Sequence, residues 1–202
     1  MKSAFYNAYL AVNQHQKIIV TRIDFFFVIL SGIYQQVDIS MNNINDFKIV
    51  PAKKGEEGLI LSFIKKLAEY EKLSHAVIAD EEIIKESFFG SKPAAECVIA
   101  YYKEEPVGFA IYFYNFSSFI GRAGLYLEDL FVLPEMRGKG FGKEILKYLA
   151  KLAVEKKCGR FEWAVLDWNE PSRQFYKNLG AIHLEDWQIF RLSGEPLKNL
   201  AK

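Results

Sequence analysis

The sequence predicts a mixed α/β domain, a central sheet flanked by helices, in residues 46–202. Strand and helix patterns follow one another there in the order β-α-α-β-β-β-α-β-α-β, and no internal repeat divides them. The composition agrees with this fold class, since 50% of the 202 residues are hydrophobic and 26 Lys and Arg residues balance 25 Asp and Glu residues. A net charge of +1 gives no general attraction to nucleic acid or membrane surfaces, so neither is expected as a partner.

Residues 1–45 differ from the rest because they carry only five charged side chains. Their apolar run, 25–30, is shorter than the roughly 20 residues that a membrane span needs, and it begins too late for a secretory signal. Three interpretations stay open: an element packed on the domain, a disordered tail, or upstream sequence absent from the native product. The last two are favoured because Met41 begins a chain that would be complete as a domain. We therefore expect an N-terminal extension at 1–45 and a domain at 46–202.

The first half of the domain is predicted from apolar spacing and from its turns. A short strand at 47–50 precedes a helix that follows Gly58, and Asp80 begins a second helix that ends at Gly90. Two apolar runs, 97–102 and 107–114, are joined by a short polar segment and indicate a hairpin.

The second half continues with a long β-rich run that Pro134 ends, and then with an amphipathic helix. The predicted elements of this half are a strand at 125–133, a helix at 144–157, a strand at 161–166, a helix at 171–179 that begins with proline, and a last strand or hairpin through 189–192.

The segment from Arg137 to Lys143 reads Arg-Gly-Lys-Gly-Phe-Gly-Lys and lies where the third long strand meets its helix. Glycines let the backbone approach a ligand, and successive N–H groups at a helix start bind anions, so the segment predicts a phosphate site. It is not a Walker loop, because Glu144 stands where Ser or Thr is required, and its glycine spacing is not that of a dinucleotide fingerprint.

Arg137-x-x-Gly140-x-Gly142 after a strand resembles the acetyl-CoA signature of the GNAT acetyltransferase superfamily. The segments 67–71, 126–132, 167–172 and 175–181 resemble the spermidine/spermine (diamine) acetyltransferase branch, over about residues 47–200. The resemblance implies a GNAT-like mixed sheet, a strand that splays from its neighbour before the loop, acetyl-CoA as co-substrate, and commonly a homodimer. The residues that it implies for the co-substrate are Leu130, Phe131 and Val132 along the pantetheine, Arg137 as the first residue of the signature, Gly138, Lys139, Gly140, Phe141, Gly142 and Lys143 at the diphosphate, and Asn169, Pro171 and Ser172 at the thiol end.

Acetyl transfer to an amine needs a base, because a primary ammonium with a pKa of about 10.4 is almost fully protonated at neutral pH. Glu128 is the candidate, since strict alternation would place it on the face of Tyr126, Leu130 and Val132; a salt bridge at the sheet edge is the alternative. A bulge in this strand would break the alternation. The resemblance implies Tyr176 as the acid that protonates the leaving thiolate, and packing in a helix is its alternative role.

Charge is unevenly distributed, with 11 acidic and six basic residues in 56–105 but eight basic and two acidic residues in 137–160. This split favours a cationic acceptor beside an anionic co-substrate. The function expected is an acetyl-CoA-dependent N-acetyltransferase of a small cationic amine, either a polyamine or a lysine-like amino acid. The acceptor contacts that the resemblance implies are Tyr70, Glu71, Glu128, Asp129, Glu162 and Trp163.

Two other functions stay open: a protein or peptide N-acetyltransferase, and an acyl-CoA sensor that transfers nothing. Two cysteines are too few for a disulfide framework, so a cytoplasmic location is expected. The three histidines have no neighbouring cysteines, and no metal is expected.

Overall fold

The computed structural model describes residues 46–202, so the predicted extension at 1–45 lies outside the described residues. The chain divides after Trp163 into two compact units. The first unit contains β1 (Phe47–Pro51), α1 (Glu57–Tyr70), a 3₁₀ turn (Ser74–Ala76), α2 (Glu81–Phe89), β2 (Glu96–Tyr102), β3 (Glu105–Ser117), β4 (Arg122–Val132), a 3₁₀ turn (Pro134–Met136), α3 (Phe141–Glu155) and β5 (Arg160–Trp163). The second unit contains α4 (Glu170–Asn178) and α5 (Gly194–Leu200).

The strands form one five-stranded sheet in the order β1-β2-β3-β4-β5. The first three interfaces are antiparallel and the last, between β4 and β5, is parallel. Parallel strands need a crossover connection, which α3 provides between β4 and β5. The mixed sheet flanked by helices confirms the predicted fold class.

Both faces of the sheet are covered, since neighbouring residues of β2 such as Val98 and Ile99 are each fully buried although they point to opposite faces. On one face, Phe63 of α1 stacks on Phe109 of β3, with ring centroids 5.3 Å apart. The buried side chains of that core are Ile60, Leu61, Phe63, Leu67, Ile84, Cys97, Ile99, Phe109, Ile111 and Phe131.

Phe141, the first residue of α3, anchors that helix to the sheet edge. Its ring lies parallel to that of Phe47 at 4.3 Å and 5.2 Å from that of Tyr102. Ile145 and Leu149, one and two turns further on, are fully buried. The apolar stripe of the helix therefore fixes where its N-terminus lies.

The predicted beginning and end of α2 are confirmed. Asp80 is the N-cap, and its carboxylate accepts a hydrogen bond of 2.8 Å from the N–H of Ile83. Gly90 is the C-cap.

The strand predicted at 189–192 is wrong. The structure has no regular element at 185–193, and Ile189 and Phe190 are 76% and 89% exposed. A strand exists only through hydrogen bonds to a neighbour, and an apolar pattern does not supply one. The strand predicted at 161–166 is shorter in the structure, where it spans Arg160–Trp163.

Within residues 46–202, no helix combines the length and the hydrophobicity that crossing a bilayer would demand.

Replacing Phe141 by alanine should lower the free energy of unfolding by about 3–5 kcal/mol, because the ring is buried between Phe47 and Tyr102. Urea denaturation measures this loss. The control is Phe119→Ala, since Phe119 is 96% exposed and its loss should change stability by no more than about 0.5 kcal/mol. Equal effects of the two substitutions would contradict the packing role of Phe141.

Candidate active site

Strand β4 carries a bulge at Glu128. Asp129 lies opposite Ile111 of β3 and Leu127 lies opposite Tyr112, so Glu128 has no partner residue on β3. A bulge inserts one extra residue into a strand and reverses the faces beyond it. The alternation that placed Glu128 with Tyr126, Leu130 and Val132 is therefore wrong, since the bulge interrupts it.

The bulge also marks the end of pairing with β5. The parallel ladder joins 124–127 of β4 to 160–163 of β5, whereas pairing with β3 continues to Val132. Among the described residues, no strand pairs with the outer edge of β4 from Glu128 onward. This open edge is the splay that the sequence resemblance implied, and it is confirmed.

Alternate backbone groups of β4 face this open edge. The N–H of Leu133 donates to the Val107 carbonyl at 2.9 Å, and the Phe131 carbonyl is turned toward Gly108, where a Cβ would lie 2.6 Å from it. Because the direction alternates along a strand, the backbone groups of Leu130 and Val132 point outward. The Val132 carbonyl accepts a hydrogen bond of 3.1 Å from Arg137 Nε.

Glycines shape the segment between β4 and α3. Gly138 and Gly140 have φ values of +77° and +85°, a conformation that side chains rarely adopt. Gly140 is the N-cap of α3 and supplies no side-chain acceptor, so the first N–H groups of the helix, at Phe141, Gly142 and Lys143, lack an intrahelical acceptor. A Cβ at Gly142 would have no atom within 4 Å, which leaves room for a ligand beside these amides.

The Arg137 guanidinium turns toward α1 and β4. Its Cζ lies 4.3 Å from the centre of the Tyr70 ring and 5.5 Å from that of Phe131. Cation–π contact holds the group there. Arg137 thus joins the last residue of α1 to the open edge of β4, a link that the sequence motif did not predict.

Three acidic side chains, those of Glu71, Glu128 and Asp129, lie near the contact between Arg137 and Tyr70. Burial, with the added negative charges of Glu128 and Glu71, raises the pKa of Asp129 to about 7. Glu71, the C-cap of α1, also has its pKa raised by burial, while Glu128 is exposed at the bulge. This arrangement provides a carboxyl group that exchanges its proton near neutral pH, next to a solvent-accessible carboxylate.

On β5, Glu162 lies opposite Tyr126 of β4. Its Oε2 lies 2.8 Å from Arg160 Nε and accepts a hydrogen bond of 3.4 Å from Asn115 Nδ2. Trp163, the last residue of β5, lies with its ring centroid 5.0 Å from that of Phe161.

In the second unit, Asn169 begins α4. Its side chain is buried, and Oδ1 accepts a hydrogen bond of 3.3 Å from the N–H of Ser172, with Pro171 in the first turn. Tyr176 lies one turn after Ser172 on the same helix face, half-buried, with its ring 5.4 Å from that of Phe175. The local fold therefore holds Asn169, Pro171 and Ser172 together and places Tyr176 in line with them.

Residues 63–181 match the model of the acetyltransferase (GNAT) family. The chain belongs to this family. It is 42% identical over 161 residues to a thialysine N-epsilon-acetyltransferase of Sus scrofa, covering 74% of this chain and 94% of that protein. It is 33% identical over 165 residues to a spermidine/spermine N(1)-acetyltransferase-like protein 1 of Homo sapiens, covering 77% of this chain and 24% of that protein.

A solved structure of an integron cassette protein from V. cholerae superposes with a TM-score of 0.66 at 28% identity, over 78% of this chain and 98% of that one. An aminoglycoside acetyltransferase from a soil metagenomic sample superposes with a TM-score of 0.63 at 15% identity, over 74% of this chain and 97% of that one, and shows the shared fold. These matches confirm the resemblance to the GNAT superfamily and to its diamine acetyltransferase branch. The protein is therefore an N-acetyltransferase.

The first unit of this GNAT chain brings together several of the residues singled out from the sequence. Tyr70 meets Arg137 through ring contact, and Glu71, Glu128 and Asp129 interact through their charges. The segment 130–143, predicted to hold the co-substrate, runs from the end of β4 through a 3₁₀ turn to the start of α3. Lys139 lies above the Tyr102 ring, with Nζ 5.7 Å from its centre, and Lys143 is exposed.

Sequence reasoning missed the perturbed carboxyl of Asp129 and the polar group of Asn115 and Arg160. The Asp129 signal was present in the sequence, since two adjacent acidic residues interrupt an otherwise apolar strand and one of them must face the core. The Asn115–Arg160 group had no such signal, because it depends on the register of three strands.

Asp129 should make the stability of the protein fall as the pH rises. Its folded pKa of about 7 exceeds the ordinary 3.8, so its contribution is fully present below about pH 4 and is lost as the pH rises through about 7. Between about pH 5 and pH 8 the wild type should lose on the order of 2–3 kcal/mol through this group, and Asp129→Asn should abolish that part of the loss. Urea denaturation at both pH values measures it.

The matched control is Asp46→Asn, which removes an exposed aspartate and should leave the pH dependence as in the wild type. Parallel pH profiles for the wild type and Asp129→Asn would show that Asp129 does not titrate in this range.

Proposed function

We propose that this protein transfers an acetyl group from acetyl-CoA directly to the primary amine of a small cationic acceptor, a lysine-like amino acid or a diamine. By their names, the relatives given above are an acetyltransferase of thialysine and a protein like the acetyltransferases of spermidine and spermine. An L-ornithine N5-acetyltransferase of Arabidopsis thaliana is also 42% identical over 95 residues, covering 47% of this chain and 42% of that protein. All of these acceptors are small amines that carry positive charge.

The open edge of β4 is the observation that carries the proposal. Outward backbone groups of Leu130 and Val132 suit the amide groups of a pantetheine arm, with Phe131 between them facing β3. The amides around Gly140 suit a diphosphate, because helix N–H groups and the positive end of the helix dipole bind anions. Bound acetyl-CoA would supply the activated thioester.

The residues at the end of α1 and at the bulge of β4 include carboxylates and an aromatic ring, which suit an ammonium group. Tyr70 and Glu71 lie at the end of α1, and Glu128 and Asp129 at the bulge. Opposite charges and ring faces both attract an alkylammonium ion. Glu162 and Trp163 extend this side along β5.

The acceptor must lose a proton before it attacks. Glu128 is the proposed base: it is exposed at the bulge, so solvent can carry the proton away. Asp129, with its pKa raised to about 7, can hold a proton at neutral pH and lies beside Glu128. The carboxylate pair can therefore take the proton from the ammonium group before the C–N bond forms.

The departing coenzyme A thiolate needs a proton, and Tyr176 is proposed to donate it. The same helix carries Asn169, Pro171 and Ser172, which are proposed to line the thiol end of the co-substrate. Their common placement on α4 supports these linked roles.

The direct test is release of free thiol from acetyl-CoA with a panel of acceptors: lysine, thialysine, ornithine, putrescine, spermidine and a lysine-containing peptide. We expect turnover on at least one of the small amines. Acetylation of the peptide alone would overturn the assignment in favour of a protein acetyltransferase. Binding of acetyl-CoA without turnover on any acceptor would favour a sensor.

We also propose that the protein is cytoplasmic and forms a homodimer. Cys97 and Cys158 are free, as expected in a reducing compartment, and the homodimer follows from the family resemblance.

Gly142→Asp should weaken acetyl-CoA binding by roughly tenfold or more, because it brings a negative charge to the proposed diphosphate site. Stability should be unchanged or slightly higher, since the position is open and an aspartate suits a first helical turn. Isothermal calorimetry with acetyl-CoA measures the affinity. The control is Gly142→Asn, which adds a side chain of the same size without the charge and should bind more tightly than Gly142→Asp; equal affinities for both variants would place the diphosphate elsewhere.

Tyr176→Phe should lower kcat by roughly a hundredfold with little change in acetyl-CoA affinity, because it removes one proton donor and keeps the ring. Tyr148→Phe is the control, since Tyr148 lies on α3 away from the first turn. Near-normal turnover of Tyr176→Phe would remove the role proposed for the phenol.

A further inference from the structure

The bulge at Glu128 brings three rows of side chains onto one face of the sheet. Residues directly opposite each other on paired strands share a face. The rows are Ile111 and Asp129; Phe113, Tyr126 and Glu162; and Asn115, Gly124 and Arg160. A row of polar and aromatic groups therefore continues from the carboxylate site toward β5.

The contacts between these side chains confirm that the second and third rows form one cluster. The rings of Phe113 and Tyr126 lie 5.1 Å apart. Arg160 Nε lies 2.8 Å from Glu162 Oε2, so the guanidinium leans toward the second row. The side chains of Arg160 and Glu162 keep 34% and 28% of their exposure, which leaves them accessible to a small molecule.

Two buried polar atoms of this cluster have unfulfilled hydrogen bonds. Asn115 Oδ1 has no hydrogen-bond donor, and Arg160 Nε, although close to Glu162, has no acceptor in hydrogen-bond geometry. Buried polar atoms are normally satisfied, and Arg160 Nε has the Glu162 carboxylate at 2.8 Å, so Asn115 Oδ1 is the atom of the two that lacks any partner within the described residues. Gly124 makes room for both, because a Cβ there would clash with Asn115 Oδ1 and lie 2.9 Å from Arg160 Cγ.

The cluster offers two charges of opposite sign on neighbouring positions. Arg160 meets Glu162 through Nε, so its two terminal amino groups lie outside that contact and can face a carboxylate. Glu162 uses Oε2 for both of its contacts, so Oε1 lies outside them and can accept from an ammonium. A ligand with an ammonium and a carboxylate on one carbon matches this pair.

The distance along the sheet also fits such a ligand. Adjacent rows are two residues apart on β3, which corresponds to about 7 Å. Arg160 lies one row beyond Glu162 and reaches back to it through Nε, so the relevant spacing is the one from Asp129, at the proposed reacting end, to the row of Glu162. It is comparable with the extended side chain of lysine or ornithine, which separates the side-chain amine from the α-carbon.

We infer that Arg160, Glu162 and Asn115 form a subsite for the α-ammonium and α-carboxylate of an amino-acid acceptor, with Arg160 selecting lysine-like amino acids over diamines. The inference rests on the proposed function and specifies its acceptor class. Arg160 binds the α-carboxylate through its terminal amino groups, and Glu162 Oε1 accepts from the α-ammonium, while Asn115 positions Glu162 through its hydrogen bond to Oε2. A diamine with the same chain lacks the carboxylate and gains nothing from Arg160.

The test compares each amino acid with its decarboxylated form: lysine with cadaverine, and ornithine with putrescine. In Arg160→Gln, kcat/KM for the amino acids should fall roughly ten- to hundredfold, as expected for a lost charge-assisted contact. The diamines should stay within about threefold of the wild type. Arg122→Gln is the matched control, because Arg122 is an exposed arginine of β4 outside the cluster, and it should leave the ratio of amino acid to diamine unchanged.

A second measurement uses the wild type and so does not depend on the folding of a variant. Capping the carboxylate of lysine as its methyl ester should lower kcat/KM by about the factor seen with Arg160→Gln, and in that variant lysine and its ester should react alike. Arg160→Lys keeps the positive charge but loses the planar guanidinium, so its kcat/KM for lysine should lie between those of the wild type and Arg160→Gln.

The outcomes separate this inference from the proposed function. Equal use of lysine and its ester by the wild type, or an equal fall for amino acids and diamines in Arg160→Gln, would overturn the subsite and leave amine acetylation intact. Turnover of diamines without turnover of amino acids would do the same. Acetylation of no amine at all would overturn the proposed function, and the subsite with it.

Discussion

One extra residue in β4 determines the geometry of the first unit. Glu128 has no partner on β3, and pairing with β5 has ended at Leu127. Backbone groups that would otherwise satisfy each other in a ladder are thereby left facing outward, which is costly unless another molecule pairs with them. The same bulge places Asp129 and Tyr126 on one face, although they are three positions apart in the chain. The edge proposed for the co-substrate and the face proposed for the acceptor thus have a single structural origin.

Arg137 connects these two parts of the site. Its guanidinium lies on the Tyr70 ring, while its Nε bonds the outward carbonyl of Val132. A contact of this kind holds the end of α1 against the edge of β4. It also occupies a carbonyl that belongs to the proposed pantetheine edge, so binding there and the position of α1 are mechanically linked.

The start of α3 and the carboxylate group beside β4 differ in the sign of their charge. Amides at the start of α3 present partial positive charge where no side chain caps the helix. Across β4, burial disfavours the negative charge of Asp129, and Glu128 and Glu71 repel it. An acceptor that brings a positive charge relieves this repulsion, which is a physical reason for a cationic substrate.

The sequence by itself determined most of the elements and the identity of the loop. Apolar spacing located α1 and α3, Asp80 and Gly90 marked the ends of α2, and the glycine pattern of 137–143 predicted an anion site, because each of these signals is local in the chain. The resemblance to the GNAT superfamily then named the residues around the loop.

Only the tertiary structure decided on which face of the sheet each side chain lies and which distant residues it contacts. No local pattern revealed that Glu128 would be the extra residue, since a bulge is defined by the strand opposite. The stacking of Arg137 on Tyr70 and the meeting of Asn115, Gly124 and Arg160 depend on pairing between distant segments. The apolar pattern at 189–192 predicted a strand that the structure does not form, because a strand needs a neighbour to accept its hydrogen bonds.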